Sequence, residues 1–453
     1  MSTSTRRALL VAYHYPPMRS SGVERTAKFA RYLPEFGYET RVLTTSAFGK
    51  DSASDVLRAW EPLALYRRLF NRAARANPAA ATRTRTRAGP VSATLNRLRR
   101  WVFVPDGQIT WLPAAALSAL RAARRERVDL VYTTSPPASS HLLGRYLRER
   151  LGVPWVADFR DSWVYDPLDP DLLNMPYRRE LERRMEQAVA EEADLVIVAT
   201  QVTASYLTDT YAEAAPRIRL IRNGFDPGDD LASPEDLVVD GGVSQRARPS
   251  ASDQVRPPAS GRRRLRLVHT GSFSYSHPAR TPEPILIALG QLLDSDKMWR
   301  ERIELLLVGE LSPDEEAMAE PLVEASIVRM SGSVDRATAL GFQECADVLL
   351  LVDHARPWPS SNAPSKLYEY LATRKPILAL CGPGEVRTMI DDLGAGLCAQ
   401  PNDAEEIRQV LIDVWCRYQG GTLPRVQGSL DVFHRRVLTR KLASCFDEVL
   451  TTS

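Results

Sequence analysis

An α/β protein built from two doubly wound domains is what this sequence predicts, on three observations. Apolar runs of strand length alternate with amphipathic runs of helix length, the order that builds a parallel sheet. The alternation occurs twice, on either side of residues 228–264, where Pro, Ser, Gly and Arg displace apolar residues. The chain has 453 residues, more than one hydrophobic core usually serves.

The first series opens with the strand ALLVAYH (8–14), a Pro/Ser/Gly turn, the helical pattern TAKFARYLPEFG and the strand ETRVLTT. A helix over 112–126, the strand VDLVYTT (128–134), the helix SSHLLGRYLRERLG and the strand PWVADF (154–159) continue it. A helix over 177–192 and the strand DLVIVAT (194–200) close it. The second series runs LRLVHTG, a helix from about 282, RIELLLVGE, a helix near 314, IVRMSGSV, a helix near 335, ADVLLLVD, and then PSKLYEYLATRKPILAL. The expected division is an N-terminal domain over 1–227, a linker or disordered insertion over 228–264, and a second domain over 265–425. A terminal helix within 426–453 is expected to cross back to the first domain. No short-period repeat interrupts this reading.

Composition excludes several classes. Hydrophobic residues make up 44% and charged residues 25%, ordinary for a globular protein. No run of eighteen apolar residues occurs, and MSTSTRRALLVAYHYPP lacks the apolar core and cleavage pattern of a signal peptide, so a cytoplasmic protein is expected. Five cysteines, none in a CxxC pair and all in the last third, support neither a disulfide framework nor a zinc site. No pair of histidines has metal-ligand spacing, and the triplets DPD (169–171) and DSD (294–296) lie on a loop and at a helix end, so no metal is expected. Nothing suggests a nucleic-acid partner.

The net charge of +3 is unevenly spread. Residues 66–100 hold ten arginines and no Lys, Asp or Glu, which leaves the rest of the chain net negative. Such a strip, interleaved with Leu69, Phe70, Leu95 and Leu98, is attracted to an anionic surface: the inner face of a membrane, where the protein would be peripheral, or a phosphate-bearing acceptor. A solvated, partly disordered insertion accounts for it equally well.

In an open parallel sheet, ligands sit beyond the carboxyl ends of the strands, where loops lead into helix N-termini suited to phosphate. The loop around Gly22, the TGSFS turn at Gly271 and Ser272, the VGE turn at Gly309, and the approach through Ser361, Asn362 and Ser365 stand at such positions. Neither GxGxxG nor GxxxxGK[ST] occurs, so neither a dinucleotide fingerprint nor a P-loop is supported. Lys366 and Glu369, three apart, share one helical face. A lysine in a first turn opposes the helix dipole unless an anion sits there, and a carboxylate one turn on suits the hydroxyls of a ribose. A weak ion pair between the two is the simpler alternative. His141, at a helix start, either reaches a ligand or caps its helix; His14 is similar, and His277 lies in a loop that can face a donor. Asp158 and Asp161 are near one another at a strand end, where acids commonly cap loops.

The ordered set of YHYPPMRSSGVERTAKFARYLPEFGYETRVLTT, VPDGQITWLP, TTSPPASSHLLG, VPWVADFRDSW, ADLVIVAT, IRNGFDP, VHTGSF, LLLVGE, SGSV, ADVLLLV and SKLYEYLATRKPILAL resembles glycosyltransferase family 4 over most of the chain. The resemblance implies a GT-B fold, two Rossmann-like domains facing each other across a cleft. It implies transfer of a sugar from a nucleoside diphosphate sugar to an acceptor, with retention at the anomeric carbon and no required metal or other cofactor. It gives Glu369 the ribose, Lys366 the diphosphate, and Gly22 a close backbone approach to that diphosphate; Arg280 takes the place of the family's basic residue. Ser361 stands where the family often has a second Glu, and Arg160 where it commonly has an acceptor-side His. The candidate catalytic residues are therefore Lys366, Arg280, His141, Asp158, Arg160 and Asp161. The donor contacts are Gly22, Gly271, Ser272, Gly309, Ser361, Asn362, Ser365, Lys366 and Glu369. The acceptor is a glycan, a lipid-linked group or a small molecule. A catalytically silent binding protein or scaffold of the same fold, a nucleotide-sugar epimerase and a phosphorylase remain the alternatives.

Overall fold

The computed structural model describes residues 5–18, 21–49, 54–62, 101–168, 170–226 and 264–452. The arginine-rich strip at 66–100 and residues 228–263 of the expected linker lie outside them. The chain forms two compact units, one from Met1–Gly224 with Arg435–Ser453, the other from Phe225–His434.

The first unit carries a seven-stranded sheet: β1 (Arg6–Val11), β2 (Tyr38–Thr45), β3 (Val56–Ala59), β4 (Leu130–Ser135), β5 (Trp155–Phe159), β6 (Leu195–Val198) and β7 (Ile218–Leu220). Their spatial order is β3-β2-β1-β4-β5-β6-β7, and every pairing is parallel. The helices are α1 (Ser21–Tyr32), α2 (Leu112–Arg125), α3 (Ser139–Leu151), α4 (Pro176–Glu192) and α5 (Gln201–Thr210). Alternate residues of a strand point to opposite faces, so each strand serves two cores. Leu9, Val131 and Ala157 pack with α2–α5, whereas Ala8, Leu130 and Val156 pack under Phe29 of α1. A C-terminal helix counted later as α13 (Arg435–Thr452) completes that second layer through Leu438, Leu442, Phe446 and Val449. Tyr38 fixes it by an edge contact with Phe446, centroids 5.3 Å apart, and by a 2.7 Å hydrogen bond to Asp447.

The second unit holds β8 (Leu265–Thr270), β9 (Ile303–Val308), β10 (Val328–Gly332), β11 (Val348–Val352), β12 (Ile377–Leu380) and β13 (Gly396–Ala399), ordered β10-β9-β8-β11-β12-β13 and also wholly parallel. Helices α6 (Glu283–Ser295), α7 (Trp299–Arg302), α8 (Pro313–Glu324) and α12 (Ala404–Gly420) alternate with these strands, as do α9 (Arg336–Glu344), α10 (Ser365–Ala372) and α11 (Glu385–Asp392). All six residues of β9 are buried, as expected of a strand covered on both faces. Helix α8 starts on a capping box: the Ser312 hydroxyl accepts from the Glu315 amide, and the Glu315 carboxylate accepts from the Ser312 amide. The other Glu315 oxygen accepts from the Ser274 amide at 2.9 Å and so pins the turn after β8.

In both sheets the strand order reverses beside the first strand, between β1 and β4 and between β8 and β11. These are the switch points where a crevice opens beyond the carboxyl ends. Unit boundaries depart a little from the expected ones: the second unit runs to His434 rather than 425. Strands β3, β7 and β13 and helices α5, α7, α11 and α12 have no counterpart in the expected elements; the three strands sit at sheet edges and, at three or four residues, leave too short a pattern to read.

Candidate functional site

At the second unit's switch point, β8 ends in Thr270 and the chain turns through Gly271, φ +104°. Lys366, at the second position of α10, sends its ammonium back to this turn and donates to the Thr270 carbonyl at 2.8 Å. A Cβ on Gly271 would lie 2.9 Å from that Nζ, and one on Gly309, φ +143°, would lie 2.5 Å from the Gly271 carbonyl oxygen. Glycine at both turns is therefore what lets two strand ends and a lysine share one small volume. Below them the Tyr370 hydroxyl accepts from the Thr270 amide at 3.0 Å, and Gln343 donates to the Thr270 hydroxyl at 3.1 Å. Burial pushes the Lys366 ammonium down to about 7, Arg280 lowers it further, and Glu369 works the other way.

The ion pair offered as the simpler alternative for Lys366 and Glu369 does not form. Lys366 bonds Thr270, while Glu369, partly buried, pairs with Arg336 of α9 at 3.0 Å. The lysine is drawn inward by a carbonyl that no spacing on its own helix reveals.

Arg280 is buried and docks on Asp353, just beyond β11, with Nη2 3.4 Å from Oδ1. Asp353 also accepts from Arg356 at 2.7 Å, from the Ser360 hydroxyl at 3.1 Å and from the Asn362 amide nitrogen at 3.4 Å. Burial works to raise the Asp353 carboxyl, but His354, Arg356 and Arg280 outweigh it and hold it well below the usual carboxylate range. The His354 ring stacks on His277, centroids 3.9 Å apart, and burial with these neighbouring cations takes His277 down to about 4. Nε of Arg280 is buried and finds no hydrogen-bond partner among the described residues. Ser361 is buried beside this cluster in sequence, Ser365 begins α10, and the Ser272 hydroxyl pairs with that of Ser276 at 2.7 Å. Asp353 was missed in the sequence although a strand-end acid at a switch point, VLLLVD, was there to be read.

In the first unit, Gly22 lies in the first turn of α1, and the Arg160 guanidinium donates to its carbonyl at 2.5 Å. Any Cβ at residue 22 would overlap that guanidinium. Arg160 also contacts Asp161 at 3.4 Å. His14 contacts the Met18 sulfur at 3.1 Å. Two candidates lie in the packed interior. His141 is wholly buried, stacked on Phe159 with centroids 4.7 Å apart and bonded through Nδ1 to the Thr133 hydroxyl at 2.8 Å. Burial takes its pKa down to about 3, so the imidazole is neutral, and its Nε2 is buried with no hydrogen-bond partner among the described residues. Asp158 is equally buried, its oxygens committed to Arg25 (2.8 and 2.9 Å), Tyr132 (2.5 Å) and Thr134 (3.0 Å). It anchors α1 to β5 and offers no carboxylate to a second acid. Arg25 bridges onward to the carbonyls of Ile221 and Arg222, each at 2.9 Å.

Residues 21–224 match the family model of the glycosyl transferase 4-like domain. The N-terminal unit is a glycosyl transferase 4-like domain. The whole chain has the two-domain, Rossmann-like GT-B fold. It is similar to a sucrose-phosphate synthase from Thermosynechococcus elongatus (16% identity, 99% of this chain and 100% of that one covered, TM-score 0.63). A glycosyltransferase from Rickettsia africae is comparable (14%, 100% of each chain, TM-score 0.62), as is HepE of Anabaena in complex with UDP (14%, 98% and 100%, TM-score 0.59). No curated protein matches the sequence. No described helix is long and apolar enough to cross a membrane. Lys366 and Arg280 gather at the switch point of the second unit, which lies outside the residues matched by the family model, and Gly22 with Arg160 gathers in the first.

Proposed function

We propose that the chain transfers a sugar from a nucleoside diphosphate sugar to an acceptor hydroxyl, with retention and without a required metal. The observation that carries this reading is the Lys366 ammonium, partly buried at a switch point between two glycine turns and a helix N-terminus. An ammonium there costs free energy unless an anion joins it. Solved complexes of the similar Anabaena HepE contain UDP and UDP-glucose, which supports a diphosphate as that anion.

As the sugar leaves, negative charge grows on the β-phosphate oxygen. Lys366, the α10 N-terminus and the Arg280 guanidinium supply fixed positive potential, most effective where water is excluded. Arg280 cannot swing away while Asp353 holds it, so little reorganisation is needed. Glu369 accepts from the ribose hydroxyls and shares Arg336 with them. Retention requires that the acceptor attack from the face the diphosphate leaves, and the departing phosphate oxygen then serves as base. The arginine strip at 66–100 is read as a peripheral anchor to an anionic membrane, tested by vesicle co-sedimentation at low and high salt.

The test is calorimetric titration of UDP, with other nucleoside diphosphates in parallel, into wild type, Lys366→Ala and Glu369→Ala. Loss of a charged hydrogen bond costs about 1.5–3 kcal/mol, so each variant should weaken binding by about tenfold or more while remaining folded. Unchanged affinity in both sinks the assignment. Acceptor-dependent release of nucleoside diphosphate, surviving EDTA, separates a transferase from a scaffold and from an epimerase.

A further inference from the structure

The N-terminal unit contains a cavity of about 450 Å³, within the range of small-molecule sites. It opens where β1, β4 and β5 end: His14, Ser135, Asp161 and Trp163 come from those strand ends, and Phe103, Pro105 to Gln108, Pro167, Leu168 and Leu172 supply the flanks. Much of the wall is apolar, with Phe103, Pro105, Pro136, Pro137, Trp163 and Leu168.

Its charged groups are mostly committed. Glu182 accepts from Arg178 Nε at 2.7 Å and from the Trp163 indole at 2.9 Å, and Arg178 Nη2 donates to the Pro105 carbonyl at 2.8 Å. Asp106 caps two segments, accepting from the amides of Gln108 and Ser139 and from the Ser139 hydroxyl. Three carboxylates therefore line the cavity against one guanidinium, which is itself engaged. Two groups are differently placed. The Ser135 hydroxyl is buried and has no hydrogen-bond partner among the described residues, although an unmet buried hydroxyl is costly. Asp161 is partly exposed, with Arg160 no closer than 3.4 Å.

We infer that this cavity is the acceptor subsite and that it selects an uncharged, hydroxyl-bearing ring over a phosphorylated one. The inference rests on the transferase reading and names its acceptor class. Hydroxyls of such a ring donate to the Asp161 carboxylate and exchange hydrogen bonds with Ser135, while its C–H face packs on Trp163 and the prolines. A phosphate would instead enter a net-negative site, a mismatch that discriminates by repulsion. Two sources supply the chemistry, a sugar and a cyclic polyol.

The experiment is saturation-transfer NMR on the full chain, using 4-nitrophenyl glucoside, myo-inositol and glucose 6-phosphate as probes, with UDP titrated separately into the same samples. At least one neutral probe should bind tenfold or more tightly than the phosphate, and which one does so identifies the source. Ser135→Ala should weaken it several-fold, and Asp161→Asn should both weaken it and narrow the discrimination against phosphate. Equal or tighter binding of the phosphate, no binding by either neutral probe, or neutral binding unchanged in both variants overturns the inference. Failure of UDP to bind counts against the transferase reading instead, so the two fail separately.

Discussion

The Lys366 ammonium lies 2.8 Å from the Thr270 carbonyl oxygen, with its pKa down to about 7 chiefly because it is buried. A lysine that titrates lower in the fold than in the unfolded chain burdens the fold wherever it is protonated. That burden is complete below about pH 7 and is relieved as pH climbs toward about 10.4, where the unfolded chain also loses the proton. Wild type should therefore gain stability relative to Lys366→Met between those limits, as read by urea melts at pH 7 and pH 9. A bound diphosphate should draw the proton back. At pH 8, UDP binding should take up a large fraction of one proton, measured by calorimetry in buffers of different ionisation enthalpy; the variant should take up none.

The contact between the two glycine turns gives a second expectation. Gly309→Ala places a Cβ 2.5 Å from the Gly271 carbonyl oxygen at φ +143°, and should cost about 1–3 kcal/mol in denaturant unfolding. Gly271→Ala adds displacement of Lys366 and should lower UDP affinity by about tenfold, or about 1.4 kcal/mol. Both variants behaving as wild type would mean that the turns are looser than described.

Asp353 holds Arg280 and Arg356 together in a buried site, so Asp353→Ala leaves two guanidiniums without their counter-charge. The expected loss is about 3–5 kcal/mol in stability, against about 1 kcal/mol for Ser360→Ala, which removes one neutral donor from the same carboxylate. Urea denaturation of the two variants side by side checks the ratio.

The Arg25–Asp158 pair predicts an acid limb. Burial works to raise the Asp158 carboxyl, but the Arg25 charge and the bonds from Arg25, Tyr132 and Thr134 prevail and hold it below the ordinary value. A depressed carboxylate stabilises the fold above the unfolded pKa of about 3.9, and that stability is lost as pH falls through the lower folded value. Asp158→Asn should cost about 3–5 kcal/mol at pH 7, and its difference from wild type should shrink steadily below about pH 4 in urea melts.

Alternation of apolar strands with amphipathic helices determined the two parallel sheets, because burial on both faces demands continuous apolar runs such as IELLLV. The same pattern placed Gly271, Gly309 and Lys366 at strand ends and a helix start, since those positions follow from local order along the chain. What each side chain meets there was decided only in three dimensions. Helical spacing puts Lys366 and Glu369 on one face, yet their partners, Thr270 and Arg336, arrive from β8 and α9. His141, at a helix start, and Asp158, at a strand end, stood as candidates for chemistry. Packing of α3 against Phe159 buried the histidine, and the approach of Arg25 from α1 claimed the acid. A single sequence carries period and composition, while the partner of a buried charge depends on which distant segment folds over it, and that is a property of the tertiary structure alone.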